Sequence, residues 1–89
     1  MIKAVWDKGF KKAYNNKVKN NEDLKAKFWE TIDVFLRQPF AARLRTHKLT
    51  GKLKGLWAFS VTYDCRVIFS FLNKNTVLLI DIGGHGEVY

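Results

Sequence analysis

The 89 residues carry 16 Lys plus Arg against 8 Asp plus Glu, a net charge of +8, and 47% are hydrophobic. A chain of this length makes one domain, 1–89, with a small core, and it is too apolar and aromatic for a disordered basic tail. A single cysteine, Cys65, excludes an internal disulfide, no apolar run approaches the ~20 residues of a spanning helix, and the first residues lack an export signal's apolar stretch, so a reduced, cytoplasmic protein with no membrane partner is expected.

Residues 2–6 read as a short opening strand. Residues 8–19 follow with Phe10, Tyr14 and Val18 at four-residue spacing, one stripe of a helix. Asn20-Asn21 breaks it. Asn21 is the expected N-cap of a second helix, with Glu22 and Asp23 in the first turn where the helix dipole favours acids. Its stripe is Leu24, Phe28, Ile32 and Phe35/Leu36, and Pro39 stops it. A tight turn between two amphipathic helices predicts an antiparallel helical hairpin.

Residues 40–54 form a basic connection that can hold a helical turn. After Gly55 the period changes to two. Trp57, Phe59 and Val61 alternate with Ala58, Ser60 and Thr62. Residues 66–72 and 76–82 supply two more strands, joined by Asn73-Lys74-Asn75. A three-strand antiparallel meander is predicted, with most of the aromatic side chains in the core.

The charge is not evenly spread. Residues 37–66 hold Arg37, Arg43, Arg45, Lys48, Lys52, Lys54 and Arg66 against Asp64 alone. Such a concentration suits phosphate groups and makes nucleic acid the expected partner. The N-terminal lysines are weaker evidence, since Lys is common on exposed helix faces.

Two histidines lie outside the periodic apolar positions: His47 in the basic connection, and His85 in Gly83-Gly84-His85-Gly86. A lone loop histidine is ordinarily a surface residue. Here Asp64, Arg66 and Tyr89 accompany the pair. No C-x-x-C or H-x-x-x-H spacing points to a metal, and no cofactor is expected. The set suits RNA cleavage, which needs a base for the ribose 2′-hydroxyl, an acid for the 5′-oxygen, and cations around the phosphorane-like transition state. Imidazole can serve as base or acid at neutral pH, and Arg and Lys compensate phosphate charge.

These motifs resemble the RelE/ParE toxin superfamily, and within it the YafQ-like branch of type II toxin–antitoxin endoribonucleases. The residues concerned are His47-Lys48-Leu49-Thr50-Gly51, Lys54-Gly55, Tyr63-Asp64-Cys65-Arg66-Val67-Ile68-Phe69 and Gly83-Gly84-His85-Gly86-Glu87-Val88-Tyr89. The resemblance implies an α+β fold in the order strand-helix-helix-strand-strand-strand, with the helix hairpin packed on a four-stranded sheet. It implies cleavage of mRNA in the ribosomal A site without a metal, and an acidic, DNA-binding cognate antitoxin. By position, His47, Asp64, His85 and Tyr89 fall on the family's active-site positions, and Arg66 on that of a phosphate-stabilising arginine. Lys52 and Lys54 sit where basic residues contact RNA, and Arg43, Arg45 and Lys48 of the same stretch are assigned with them. Where some members carry a further histidine this chain has Ser60, which has no acid–base capacity. Two other readings compete: a ParE-like toxin that binds DNA gyrase without nuclease chemistry, and a basic RNA-binding module without catalysis.

Overall fold

The computed structural model describes residues 1–84. The element order is β1 (Lys3–Trp6), α1 (Lys8–Lys17), α2 (Glu22–Arg37), β2 (His47–Lys48), β3 (Trp57–Thr62), β4 (Cys65–Asn73) and β5 (Thr76–Gly83), with 3₁₀ turns at Ala42–Leu44 and Gly51–Leu53. Local chemistry accounts for the helix starts. The Asp7 carboxylate accepts from the Gly9 amide (2.9 Å), and the Asn21 side chain accepts from the Leu24 amide (3.1 Å). Gln38, ahead of Pro39, leaves helical geometry at φ −143°, and α2 ends there.

The expected α+β arrangement of a helix pair on a sheet is present, with one correction. The sheet has five strands, not four, in the order β1-β5-β4-β3-β2. His47–Lys48, expected to be part of an irregular connection, pairs antiparallel with β3, His47 opposite Ala58 and Lys48 opposite Trp57. Two residues are too few to show an alternation, so no periodic signal marks this strand. The sheet is mixed: β1 runs parallel to β5, while β3, β4 and β5 form the expected meander.

The main core lies between helices and sheet. Phe10, Phe28 and Phe35 from the helices meet Phe59, Val67, Phe69, Val77, Leu79 and Ile82 from the strands, all fully buried. Tyr14 meets Phe28 and Trp29, and its hydroxyl oxygen accepts from the Trp29 indole N–H (2.9 Å). The other face of the sheet carries a smaller cluster. There Leu49, Leu53 and Leu56 of the connection cover Ala58, Ile68 and Ile80. Two-sided cover at β3 and β4 holds the basic connection down on the sheet and fixes where its charged residues emerge. No described helix is long and apolar enough to cross a membrane.

Thr31, on the buried stripe of α2, has a hydroxyl with no hydrogen-bond partner among the described residues. A buried, unpaired hydroxyl loses its water without compensation. Thr31→Val keeps the shape and removes the oxygen. It is expected to raise unfolding stability by about 1 kcal/mol, read as a higher urea midpoint at unchanged slope.

Candidate nucleic-acid interface

The three described arginines of the predicted site come together. Arg43 and Arg45, in and just after the first 3₁₀ turn, and Arg66, second residue of β4, line one cleft of about 250 Å³ with Ser60 and Tyr63. Ser60 stands directly opposite Arg66 across β3 and β4, so the pleat puts both side chains on one face of the sheet.

Each arginine is held differently. The Arg43 Nη2 donates to the Glu30 carboxylate on α2 (3.0 Å), and Lys27 approaches the same oxygen (3.9 Å). The hydrogen bond from Arg43, then the charges of Lys27 and Arg43, hold the Glu30 carboxyl below its ordinary value. A lowered carboxyl keeps its ion pair at neutral pH and loses it only in acid, once the pH falls through the lowered value. Arg45 takes a left-handed backbone conformation (φ 52°), uncommon outside glycine. Two contacts hold the backbone around it: the Thr46 hydroxyl donates to the Pro39 carbonyl, and the His47 ring Nδ1 lies 2.8 Å from the Arg45 carbonyl oxygen. Arg66 Nη1 donates to the Tyr63 carbonyl (3.2 Å), tying the cleft to the β3–β4 turn.

A carbonyl only accepts, so the His47 contact is a hydrogen bond when Nδ1 carries the proton. Neutral imidazole in that tautomer leaves Nε2 free to accept one.

The other described residues of the predicted site lie outside this cleft. His47 is exposed and lines a separate recess of about 240 Å³ with Lys48, Leu49, Thr50 and Leu53. Adjacent in sequence, His47 and Lys48 leave opposite faces of the sheet. His47 pairs with Ala58 on the face away from the helices, while Lys48 pairs with Trp57 and sets its ammonium 5.5 Å from that ring's centre. Lys52 and Lys54 are exposed at the second 3₁₀ turn, Lys54 along an apolar groove with Leu56 and Trp57. Asp64 faces a recess of about 640 Å³ between the α1–α2 turn and the end of β5, lined also by Lys17, Asp23, Cys65, Gly83 and Gly84. His85 and Tyr89 lie outside the described residues.

Sequence reasoning missed two participants. Glu30 has no marked role in the sequence, yet it fixes Arg43. Tyr63 was quoted only as part of a motif, yet it borders the arginine cleft and is 86% exposed. Its position in a turn between two strands was the available signal. Among the described residues no group of three or more His, Cys, Asp or Glu side chains is placed to hold a metal ion.

Residues 2–89 match the family model described as the bacterial toxin of type II toxin–antitoxin systems, YafQ. Solved structures share the fold over nearly the whole chain. YafQ from Escherichia coli is 18% identical, with a TM-score of 0.80 over 100% of this chain and 99% of that one. A metal-bound toxin from Helicobacter pylori is 27% identical, with a TM-score of 0.78 over 100% of both chains. A YoeB–YefM complex from Staphylococcus aureus gives 15% identity and a TM-score of 0.74, covering 96% of this chain and 98% of that one. Among curated proteins none matches this sequence.

Proposed function

Because the chain belongs to the YafQ family of bacterial type II toxin–antitoxin toxins, we propose that it is an endoribonuclease that cuts mRNA in the ribosomal A site. The observation that carries this reading is the convergence of Arg43, Arg45 and Arg66 on one cleft. Three cations in one small cleft, two of them held by hydrogen bonds, match the charge of an RNA backbone at a point where more negative charge must develop.

In this reaction a base takes the 2′-hydroxyl proton. The 2′-oxygen attacks the neighbouring phosphorus, and the P–O5′ bond breaks as an acid protonates the departing 5′-oxygen. A 2′,3′-cyclic phosphate and a 5′-hydroxyl end result. His85 serves as acid or base, and Asp64 as its partner base or as the group that orients a histidine. His47, with Nδ1–H on the Arg45 carbonyl, offers Nε2 to a proton or a phosphate oxygen. Arg66 compensates the developing charge, with Lys52 and Lys54 along the strand. Tyr89 stacks on a base beside the scissile phosphate. The cognate antitoxin is an acidic protein that covers the basic face and weakens its hold as salt rises.

The test is to induce the toxin in cells and map RNA 5′ ends. Cuts positioned by codon are expected with wild type. His85→Ala and Asp64→Ala should lose both the cuts and growth arrest while still folding. A DNA-damage response without cuts would move the protein to gyrase inhibition, and growth arrest by either variant at wild-type strength would overturn this site assignment.

A further inference from the structure

Among the described residues, every aromatic ring touches at least one other ring, except one. The rings of Trp6, Phe10, Tyr14, Phe28 and Trp29 form one group, and those of Phe35, Phe40, Trp57, Phe59, Phe69 and Phe71 another. Tyr63 belongs to neither. It stands 86% exposed at the tip of the β3–β4 turn, on the lining of the arginine cleft.

We propose that Tyr63 is a stacking platform for an RNA base. With Arg43, Arg45 and Arg66 it makes a nucleotide subsite that opens on a different recess from Asp64. The identity of the strand as RNA rests on the endoribonuclease reading above.

The chemistry fits one nucleotide unit. A nucleotide presents a flat aromatic face beside an anionic phosphate, and this cleft presents a free aromatic face beside three guanidinium groups. An exposed ring gains from stacking because every base has a π-face, and positive charge nearby adds to the attraction. The platform is also preorganised. Arg66 Nη1 holds the Tyr63 carbonyl at 3.2 Å, so the main chain under the ring is fixed before RNA arrives. A tyrosine has only two side-chain torsions to immobilise, which keeps the entropic cost of stacking low. Stacking tolerates any base, so Tyr63 supplies affinity and register rather than codon choice.

The experiment uses toxin freed from its antitoxin and a short oligoribonucleotide whose 2′-O-methyl riboses block cleavage. A 2-aminopurine in each position in turn reports stacking by loss of fluorescence. Wild type is expected to quench the probe at one position. Tyr63→Phe should retain the quench, whereas Tyr63→Ala should abolish it and weaken binding about 10-fold or more. With cleavable mRNA on ribosomes, Tyr63→Ala should raise KM and leave the pattern of cut codons unchanged. Wild-type quenching and affinity in Tyr63→Ala would overturn the subsite, as would a variant that binds RNA normally but loses antitoxin affinity. Quenching by a wild-type toxin that never cuts RNA would support the subsite and sink the nuclease reading instead.

Discussion

Replacing Arg66 by alanine is expected to slow mRNA cleavage by about 10²–10³-fold, the usual cost of removing one charge-stabilising donor from a transition state. Arg66 is the one cleft arginine rooted in a long strand, paired with Ser60 on one side and Gly83 on the other. Gly83 stands two residues ahead of His85, the proposed acid–base group, in the sequence. Its guanidinium has donors to spare: Nη1 serves the Tyr63 carbonyl, and the other N–H groups can meet a phosphate in a planar fork. Lysine cannot copy that. Arg66→Lys keeps the charge but loses the fork, and should recover only a small part of the rate. The measurement is single-turnover cleavage of mRNA on programmed ribosomes, with the urea midpoint as a check on folding. The side chain is only half-buried and makes no ion pair with a described residue, so the midpoint should move little. A rate within a factor of two of wild type would remove Arg66 from the charge-stabilising role.

The helices were legible because burial on one side of a helix forces a 3.6-residue period. Phe10, Tyr14, Phe28, Ile32 and Phe35 are where that period puts them, and Asn21 caps as its side-chain chemistry dictates. The meander was legible through its alternation and its turn residues. The fifth strand was not, because pairing over His47–Lys48 is decided by the partner β3 and not by any local pattern. For the same reason the site was legible in composition and not in arrangement. Charge counting grouped His47, Lys48 and the arginines along the chain, but the pleat of β2 sends His47 and Lys48 to opposite faces. The αL backbone at Arg45 gave no signal at all, since glycine would be the expected residue there. Tyr63 was obscured by a rule that holds for most of the described aromatics, namely that an aromatic in a small basic domain belongs to the core; Trp29 and Phe40 are exposed as well, but each still packs against other rings.

Phe28→Ala is expected to remove a large share of the stability. The ring is fully buried and meets four others, from Trp6 (6.0 Å between centroids), Phe10 (6.1 Å), Tyr14 (5.3 Å) and Trp29 (5.2 Å). Those residues come from β1, α1 and α2, so one side chain joins three elements. Deleting a buried phenyl ring costs about 3–5 kcal/mol through lost transfer energy and the cavity left behind. A domain of this length holds roughly 4–13 kcal/mol in total, so the loss is a large share of it and leaves the variant largely unfolded where the total lies in the lower part of that range. Phe28→Leu fills part of the space and should fold with a smaller loss. Urea unfolding followed by the fluorescence of Trp6 and Trp29, both against the deleted ring, reads the effect directly. A loss below about 1 kcal/mol would mean that the cluster repacks. The two variants then separate fold from chemistry. Glu30, which holds Arg43 at the cleft, lies on α2 two residues from Phe28. Loosening α2 therefore releases a cleft arginine as well as the core. Phe28→Ala should lose toxicity together with its cooperative unfolding transition, whereas Arg66→Ala should lose toxicity and keep that transition.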